Sequence, residues 1–127
     1  MGGVGYVQED QIESLYSLIY DVLMNYPEET CIFHGHENAE QMLKFGKTIE
    51  PKNKNIRDML YSLKRSLLKA KNKPGTPTCL HDEKLINPFF RVFEPTVQQT
   101  LGESDPRKAF AELVRRRNAY FRKRWMK

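Results

Sequence analysis

Residues 31–41 read CIFHGHENAEQ, and they mark the change from a short apolar run to a helical pattern. The run that begins this stretch, residues 30–34, stands between turn-forming residues, which is typical of a buried strand. Beyond it, apolar residues recur at the three- and four-residue spacing of an amphipathic helix. The stretch therefore predicts a strand over residues 30–34 and a mainly helical chain from residue 38.

Residues 11–25 are predicted to form a helix before this strand. Asp10 with Glu13 fits a capping box at its start, and Pro27 follows its end. A strand, helix, strand order would place residues 1–34 in an α/β layer, although one or two strands do not make a stable sheet alone. The apolar positions at helical spacing are Ile12, Leu15, Tyr16, Ile19, Val22 and Leu23.

Three longer helices are predicted after residue 38. The first ends at Glu50, before a proline, and the second ends near Lys73, again before a proline. The last begins after Asp105, which can cap it, with a proline at its first helical position. Their apolar stripes are Ala39, Met42, Leu43 and Phe45; Ile56, Met59, Leu60, Leu63 and Leu67; and Phe110, Leu113, Val114, Phe121 and Trp125.

Shorter elements are predicted between the second and last of these helices. The loop NKPGTPT, residues 72–78, has the composition of a linker. Thr78 is predicted to cap a short helix together with Asp82 and Glu83. The segment INPFFRVFEP, residues 86–95, has two prolines and three phenylalanines, and we expect an irregular segment held by burial of its aromatic rings.

The composition is that of a folded protein that is not anchored in a membrane. With 127 residues, the chain is long enough for one compact domain or for part of a larger one. No stretch reaches the roughly 18 apolar residues of a membrane-spanning helix, and the amino terminus lacks the basic and apolar regions of a signal peptide. The two cysteines lie far apart in the sequence, so we expect reduced thiols and an intracellular location, cytoplasmic or mitochondrial.

The net charge of +5 is concentrated in two parts of the chain, residues 44–73 and 107–127. The tail RRRNAYFRKRWMK, residues 115–127, interleaves basic and aromatic side chains, which can pair with phosphates and stack on bases. The same pattern fits a solvated basic face on a helix whose aromatic residues belong to the core, and the helical spacing favours that interpretation. A non-catalytic module that binds an anionic protein or a nucleic acid is therefore the alternative hypothesis, with nucleic acid the less favoured partner.

Side chains that can bind a metal lie close together in the quoted stretch. Cys31, His34 and His36 are of the right type, and a strand end is a place where such side chains converge. A His-x-His pair alone is more often structural or exposed to solvent. The spacing by itself therefore leaves both interpretations open.

Five motifs occur in one order: GVG at 3–5, GHENAEQMLKFGKTIEPKN at 35–53, NPFFRV at 87–92, TVQQTLGESDP at 96–106 and LVRRRNAYF at 113–121. Together they resemble the carboxy-terminal half of the hydroxyacylglutathione hydrolase family, or glyoxalase II, within the metallo-β-lactamase superfamily. The resemblance covers nearly the whole chain from Gly3. It implies a mainly α fold with a small α/β part. Residues 1–37 would be the terminal strand-helix-strand piece of an αββα metallo-β-lactamase-like domain, and residues 38–127 the helical substrate-binding domain.

The resemblance implies a metal-dependent thioester hydrolase. In the complete family enzyme, zinc or iron supports conversion of S-D-lactoylglutathione to D-lactate and glutathione. By the GHE motif, His36 would be a metal ligand, and His34 its neighbour. The family's H-x-H-x-D-H run is absent from these residues. We therefore assign no catalytic residue and expect no metal to be held stably by this chain alone.

The resemblance also implies positions that hold glutathione. The family uses residues just after the GxG motif, a tyrosine after GHE, and an Arg-x-x-Lys pair in the last helix. Here those positions hold Tyr6 and Gln8, then Asn38, and then Arg115 with Asn118. Arg115 is the family residue that is kept, so it is the predicted substrate-binding residue.

The leading hypothesis is the carboxy-terminal portion of a glyoxalase II-like hydrolase, either a fragment of a longer product or a truncated relative, and inactive as this chain alone. Its expected partners are a glutathione thioester and an amino-terminal half that supplies the other metal ligands. Without that half, an exposed sheet edge and apolar surface favour self-association.

Overall fold

The structure is a computed structural model, and it describes residues 1–34, 38–69 and 77–125. Within those ranges the protein is mostly helical, with one two-stranded sheet. The mainly α fold is confirmed, whereas the αββα layers remain a prediction. The described residues include no helix that is long and apolar enough to span a membrane.

A continuous helical segment covers the predicted helix near the amino terminus. Its start is two residues earlier than predicted, because Gln8 is extended and its backbone N–H donates to the Gln11 side chain at 3.1 Å. The proposed capping box of Asp10 with Glu13 is therefore wrong. The segment changes pitch along its length: a 3-10 turn (Glu9–Gln11), the helix α1 (Ile12–Ser17), a π turn (Leu18–Val22) and a second 3-10 turn (Leu23–Asn25).

The predicted buried strand over residues 30–34 is wrong in length and in burial. Strand β1 has two residues, Cys31–Ile32, and it pairs antiparallel with β2, Thr78–Cys79. Phe33, which follows β1, is 80% exposed. The partner strand comes from the end of the predicted linker and not from residues before α1, so the expected strand, helix, strand order is also wrong.

Two helices that contact each other follow. They are α2 (Ala39–Ile49) and α3 (Lys54–Lys69), and both agree with the predicted apolar patterns. Helix α2 ends where Pro51 prevents its continuation. The predicted end of α3 near Lys73 lies outside the described residues. A small apolar cluster joins this pair to the chain start and to the next helix: Met1, Ala39, Leu43, Ile56 and Ile86.

Helix α4 (Leu80–Ile86) is the predicted short helix, but Thr78 does not cap it. Cys79 is the N-cap residue, and its backbone N–H donates to Asp82 Oδ2 at 3.3 Å. The Thr78 hydroxyl instead donates to Glu83 Oε1 at 2.7 Å. This occurs because Thr78 already belongs to β2, which shifts the helix start by one residue.

The aromatic segment that follows α4 is partly regular. Its core is a 3-10 turn, Pro88–Phe90, whose Phe89 and Phe90 are buried as predicted, whereas Phe93 is 57% exposed and does not fit the predicted burial of the rings. Helix α5 (Pro95–Leu101) follows and ends at Gly102, whose φ of 71° favours glycine. Helix α6 (Pro106–Trp125) begins as predicted, because Asp105 Oδ1 accepts the Lys108 N–H at 2.9 Å.

The main core lies where α1, α2, α5 and α6 meet. The Phe110 ring packs edge-on against Tyr16 at 5.4 Å and against Phe89 at 5.6 Å. Residues before β1 therefore share a core with the helices after it. Its buried members are Val7, Ile12, Tyr16, Ile19, Phe45, Ile49, Leu80, Phe89, Phe90, Val92, Val97, Leu101, Ala109, Phe110, Leu113 and Val114.

Candidate functional site

The segment after the GVG motif lies against the middle of α6. Arg115 Nε donates to Glu9 Oε1 at 3.0 Å, and Arg115 Nη2 contacts the same carboxylate. Asn118 Nδ2 donates to the Val7 carbonyl at 2.8 Å. Two of the three places that sequence reasoning assigns to glutathione binding therefore adjoin, although they are far apart in the chain.

Arg115 is an exposed cation whose present ion-pair partner, Glu9, can be replaced by another carboxylate. Its hydrogen bond lowers the pKa of Glu9, and the same contact raises the pKa of Arg115. The two side chains are 54% and 66% exposed. An exposed pair of this kind contributes little to stability, and a ligand carboxylate can replace the Glu9 carboxylate at the guanidinium. Arg115 can thus bind an anionic group at the surface.

Arg117 differs from the solvated basic face expected for this helix. It is 6% exposed, and its Nε has no hydrogen-bond partner among the described residues. The guanidinium carbon lies 4.6 Å from the centre of the Phe121 ring, and Nη1 donates to Asn118 Oδ1 at 3.2 Å. Burial lowers the pKa of Arg117. A signal for this burial was present, because Val114, Arg117 and Phe121 share one helical face.

The other residues predicted to bind glutathione are Tyr6, Gln8 and Asn38. Tyr6 is 72% exposed, and Gln8 is also exposed. Asn38 precedes α2, where its carbonyl accepts the Met42 N–H at 3.0 Å. No hydrogen bond or ion pair among the described residues joins Asn38 to Arg115 or Asn118. The structure thus brings the segment that contains Tyr6 and Gln8 to Arg115 and Asn118, through the neighbouring residues Val7 and Glu9.

His36, the predicted metal ligand, lies outside the described residues. Its neighbour His34 is placed by the helical part of the chain: Nε2 forms a hydrogen bond with Thr78 Oγ1 at 3.1 Å and lies 3.7 Å from Glu83 Oε1. Glu83 is buried and also accepts from the Gly2 N–H at 2.9 Å. A polar cluster therefore ties the end of β1 to α4.

The described residues do not fit a metal centre. Among residues 1–34, 38–69 and 77–125, no three His, Cys, Asp or Glu side chains converge in a way that could hold an ion.

A cavity of about 230 Å³ lies between the first helical segment and the sheet. Its walls are mainly apolar, and the His34 and Glu83 cluster forms its polar side. Sequence reasoning did not identify it, because its walls come from distant parts of the chain. They are Gly3, Val4, Leu15, Ile19, Leu23, Tyr26, Thr30, Ile32, His34, Leu80, Glu83, Asn87 and Phe90.

Two aromatic residues of the basic tail, Tyr120 and Phe121, pack on the protein, whereas the side chain of Trp125 lies outside the described part of the chain. Tyr120 lies 5.5 Å from the Phe45 ring, and Phe121 packs against the main core. Arg116 Nε donates to Glu112 Oε1 at 2.8 Å. These contacts agree with an amphipathic helix whose aromatics belong to the core. The alternative role in binding an anionic partner stays a prediction, with Arg122 exposed further along the helix.

Comparison with known proteins identifies similar chains. A family model described as hydroxyacylglutathione hydrolase C-terminus matches residues 37–120. A "Probable hydroxyacylglutathione hydrolase" of Schistosoma mansoni is 34% identical over 113 residues, covering 89% of this chain and 46% of that protein. A "Hydroxyacylglutathione hydrolase-like protein" of Gallus gallus is 36% identical over 107 residues, which cover 84% of this chain and 37% of that protein.

A bacterial relative gives the same picture. The "Hydroxyacylglutathione hydrolase" of Vibrio cholerae serotype O1 is 33% identical over 122 residues, which cover 93% of this chain and 47% of that protein. The chain thus spans less than half of the length of the curated relatives it matches.

Proposed function

The chain belongs to the hydroxyacylglutathione hydrolase C-terminus family, and from this membership we propose that it is the substrate-binding portion of a thioester hydrolase of that type. The substrate class is an acyl thioester of glutathione. The proposed role of this portion is to hold the acidic tripeptide, while the rest of the enzyme supplies most of the reactive centre. Alone, the chain is expected to bind without hydrolysing.

The contact between the segment after GVG and α6 carries the proposal. Arg115 is surface-accessible, and Glu9 already occupies its guanidinium with a carboxylate. Glutathione has two free carboxylates, and a guanidinium binds a carboxylate through paired N–H donors. We assign Arg115 to one of these carboxylates, which would take the place of Glu9.

The neighbouring position weakens this recognition relative to the family pattern. Asn118 stands where the family has lysine, and its amide is used by the Val7 carbonyl. An amide engaged in this way offers no charge to a second carboxylate. We therefore expect weak, salt-sensitive binding of glutathione compounds, with one main electrostatic contact.

On the metal side, we propose His36 as the ligand that this chain contributes, from its place in the GHE motif. One imidazole cannot hold two ions, so the other ligands must come from an amino-terminal half. The test is the metal content of the purified chain beside His36→Ala. A similar, sub-stoichiometric content of zinc or iron in the two proteins would support an incomplete site. A stoichiometric metal content that is lost in the variant would mean that this chain completes a site by itself.

We propose that an apolar surface near the cavity binds that amino-terminal half. Tyr26, which lines the cavity, and Phe33, which follows β1, are exposed, and strand β1 has one paired neighbour among the described residues. A short, open sheet edge beside apolar side chains is a surface that further strands can cover.

The experiment for substrate binding is a titration with S-methylglutathione, which has no thioester to hydrolyse, followed by chemical shifts or calorimetry. Arg115→Ala should weaken binding about tenfold, as expected for loss of one charge-assisted contact. Glu9→Gln should strengthen it, because the guanidinium no longer has a competing carboxylate.

Arg107→Ala is the matched control. Arg107 lies on the same helix, is similarly exposed and pairs with Glu13 of the first helical segment. It should leave binding within about twofold of the unchanged protein, since it removes the same charge at another place. Equal losses in Arg107→Ala and Arg115→Ala would contradict a specific site. Binding of an oligonucleotide, but not of S-methylglutathione, would favour the anionic-partner alternative.

A further inference from the structure

The two cysteines of the chain face each other across the sheet. In the register of β1 and β2, Cys31 is directly opposite Cys79. The Leu80 N–H donates to the Thr30 carbonyl at 2.9 Å, so the adjoining cysteine pair lies between ladder hydrogen bonds. In such a non-hydrogen-bonded pair the Cα atoms are about 4.5 Å apart and both side chains point to the same face.

This spacing is compatible with a disulfide, which needs Cα atoms between about 4.4 and 6.8 Å apart. Both cysteines are free thiols in the structure, with Cys31 exposed and Cys79 half-buried. Cys79 Sγ lies 3.2 Å from Asp82 Oδ2, while Cys31 Sγ has a long contact of 3.9 Å with the Glu29 carbonyl. These are weak S–H contacts, so forming a bond would displace little.

We propose that Cys31 and Cys79 are a redox modification site that closes to a disulfide by exchange with a small disulfide such as oxidised glutathione. The exposed Cys31 thiol loses its proton, and its thiolate attacks one sulfur of that disulfide, releasing one glutathione thiolate. The Cys79 thiolate then attacks the Cys31 sulfur of the mixed disulfide and releases the second glutathione. Two protein thiols are oxidised, two glutathione molecules are formed, and the two protons pass to solvent or to the released thiolates.

The bond would fasten β1 to the start of α4. Cys79 is the N-cap residue of that helix: its side chain faces the Asp82 backbone N–H, and its own backbone N–H donates to Asp82 Oδ2. The second of these contacts does not use the sulfur, so this half of the cap can persist when the thiol is oxidised. Closure of the disulfide would fix the position of the chain just before the GHE motif. This effect does not depend on whether the chain binds glutathione thioesters.

The test uses the full chain equilibrated with mixtures of reduced and oxidised glutathione, quenched with acid and measured by intact mass and peptide mapping. The expected oxidised product is a monomer that has lost two hydrogens, carries no glutathione, and links the Cys31 and Cys79 peptides. In concentrated urea the equilibrium constant for closure should fall at least about tenfold, because the folded register no longer holds the thiols together.

Cys31→Ser and Cys79→Ser are the matched variants, each nearly the size of the thiol it replaces. Each should stop at a mixed disulfide with one glutathione and form no internal bond. Three results would overturn the proposal: a folded chain with glutathione on both cysteines, oxidation mainly to disulfide-linked dimers, or a closure constant that urea does not change.

Discussion

At the scale of single residues, Arg117 is the side chain whose environment least matches its charge. Its guanidinium is buried, with its Nε unpaired among the described residues, and stacks on Phe121. A cation–π contact contributes about 0.5 to 2 kcal/mol, whereas removing an ion from water without a charged partner costs several kcal/mol. Desolvation is the larger effect, so Arg117 is expected to lower the stability of the isolated chain.

Replacing Arg117 with methionine should therefore stabilise the protein. Arg117→Met keeps an unbranched chain over the Phe121 ring and removes the buried charge. We expect an increase of about 1 kcal/mol in the free energy of unfolding, measured by urea denaturation. Arg122→Met, at an exposed position of the same helix, should change it by less than about 0.5 kcal/mol. A loss of stability in Arg117→Met would contradict the destabilising role assigned to this guanidinium.

Residues of the candidate site were predictable to different degrees. Arg115 was identified through a motif, and the structure places it beside the segment after GVG. Its pairing with Glu9 was not foreseen, because a contact between residues so far apart depends on how the helices pack. The opposition of Cys31 and Cys79 was missed for the same reason, since β2 begins at Thr78, the last residue of the predicted linker.

At the scale of elements, one ion pair joins the end of α2 to the aromatic segment and α5. Arg91 donates to Glu50 from Nε at 2.8 Å and from Nη2 at 3.1 Å, and the Thr96 hydroxyl donates to Glu50 at 2.9 Å. The Glu50 side chain is almost fully buried. The bidentate pair therefore fixes the aromatic segment on the helices, where sequence reasoning foresaw ring burial alone.

Arg91→Ala should be strongly destabilising, because it leaves the Glu50 carboxylate buried without a cation. A loss of about 3 to 5 kcal/mol in the free energy of unfolding is expected, and the double variant with Glu50→Ala should lose less than the sum of the two single variants. Thermal or urea denaturation measures both. Arg57→Ala, which breaks an exposed pair with Asp58, is the control and should cost under about 1 kcal/mol. Similar losses for Arg57→Ala and Arg91→Ala would refute the role assigned to this pair.

Helices were predicted more reliably than strands. The start of helix α6 was predicted from Asp105 and the proline after it, because the residues that cap a helix and form its first turn are adjacent in the sequence. Helix α5 was missed although Pro95 begins it and Gly102 ends it, since seven residues are too few for a clear apolar period. The strand over residues 30–34 was overestimated because apolar composition does not reveal whether a second layer covers it.

At the scale of the whole molecule, exposed apolar side chains are unevenly distributed. Among the described residues, five of the seven large apolar side chains that are exposed belong to residues 1–34. They are Tyr6, Leu18, Val22, Tyr26 and Phe33. The family relatives are more than twice as long as the matched region. We therefore interpret this surface as the part of the chain that the remainder of a complete enzyme would cover.

The most direct test of this account is thioester hydrolysis by a chimera. The amino-terminal part of the Schistosoma mansoni relative would be joined to this chain where their similarity begins, and the loss of S-D-lactoylglutathione absorbance would be followed with zinc present. The chain alone and a His36→Ala chimera are the controls.

We expect hydrolysis by the chimera, none by the chain alone, and a loss of at least about a hundredfold in the His36→Ala chimera. Hydrolysis by the chain alone would contradict it. So would a folded, metal-loaded chimera that leaves the thioester intact under conditions in which the relative itself hydrolyses it.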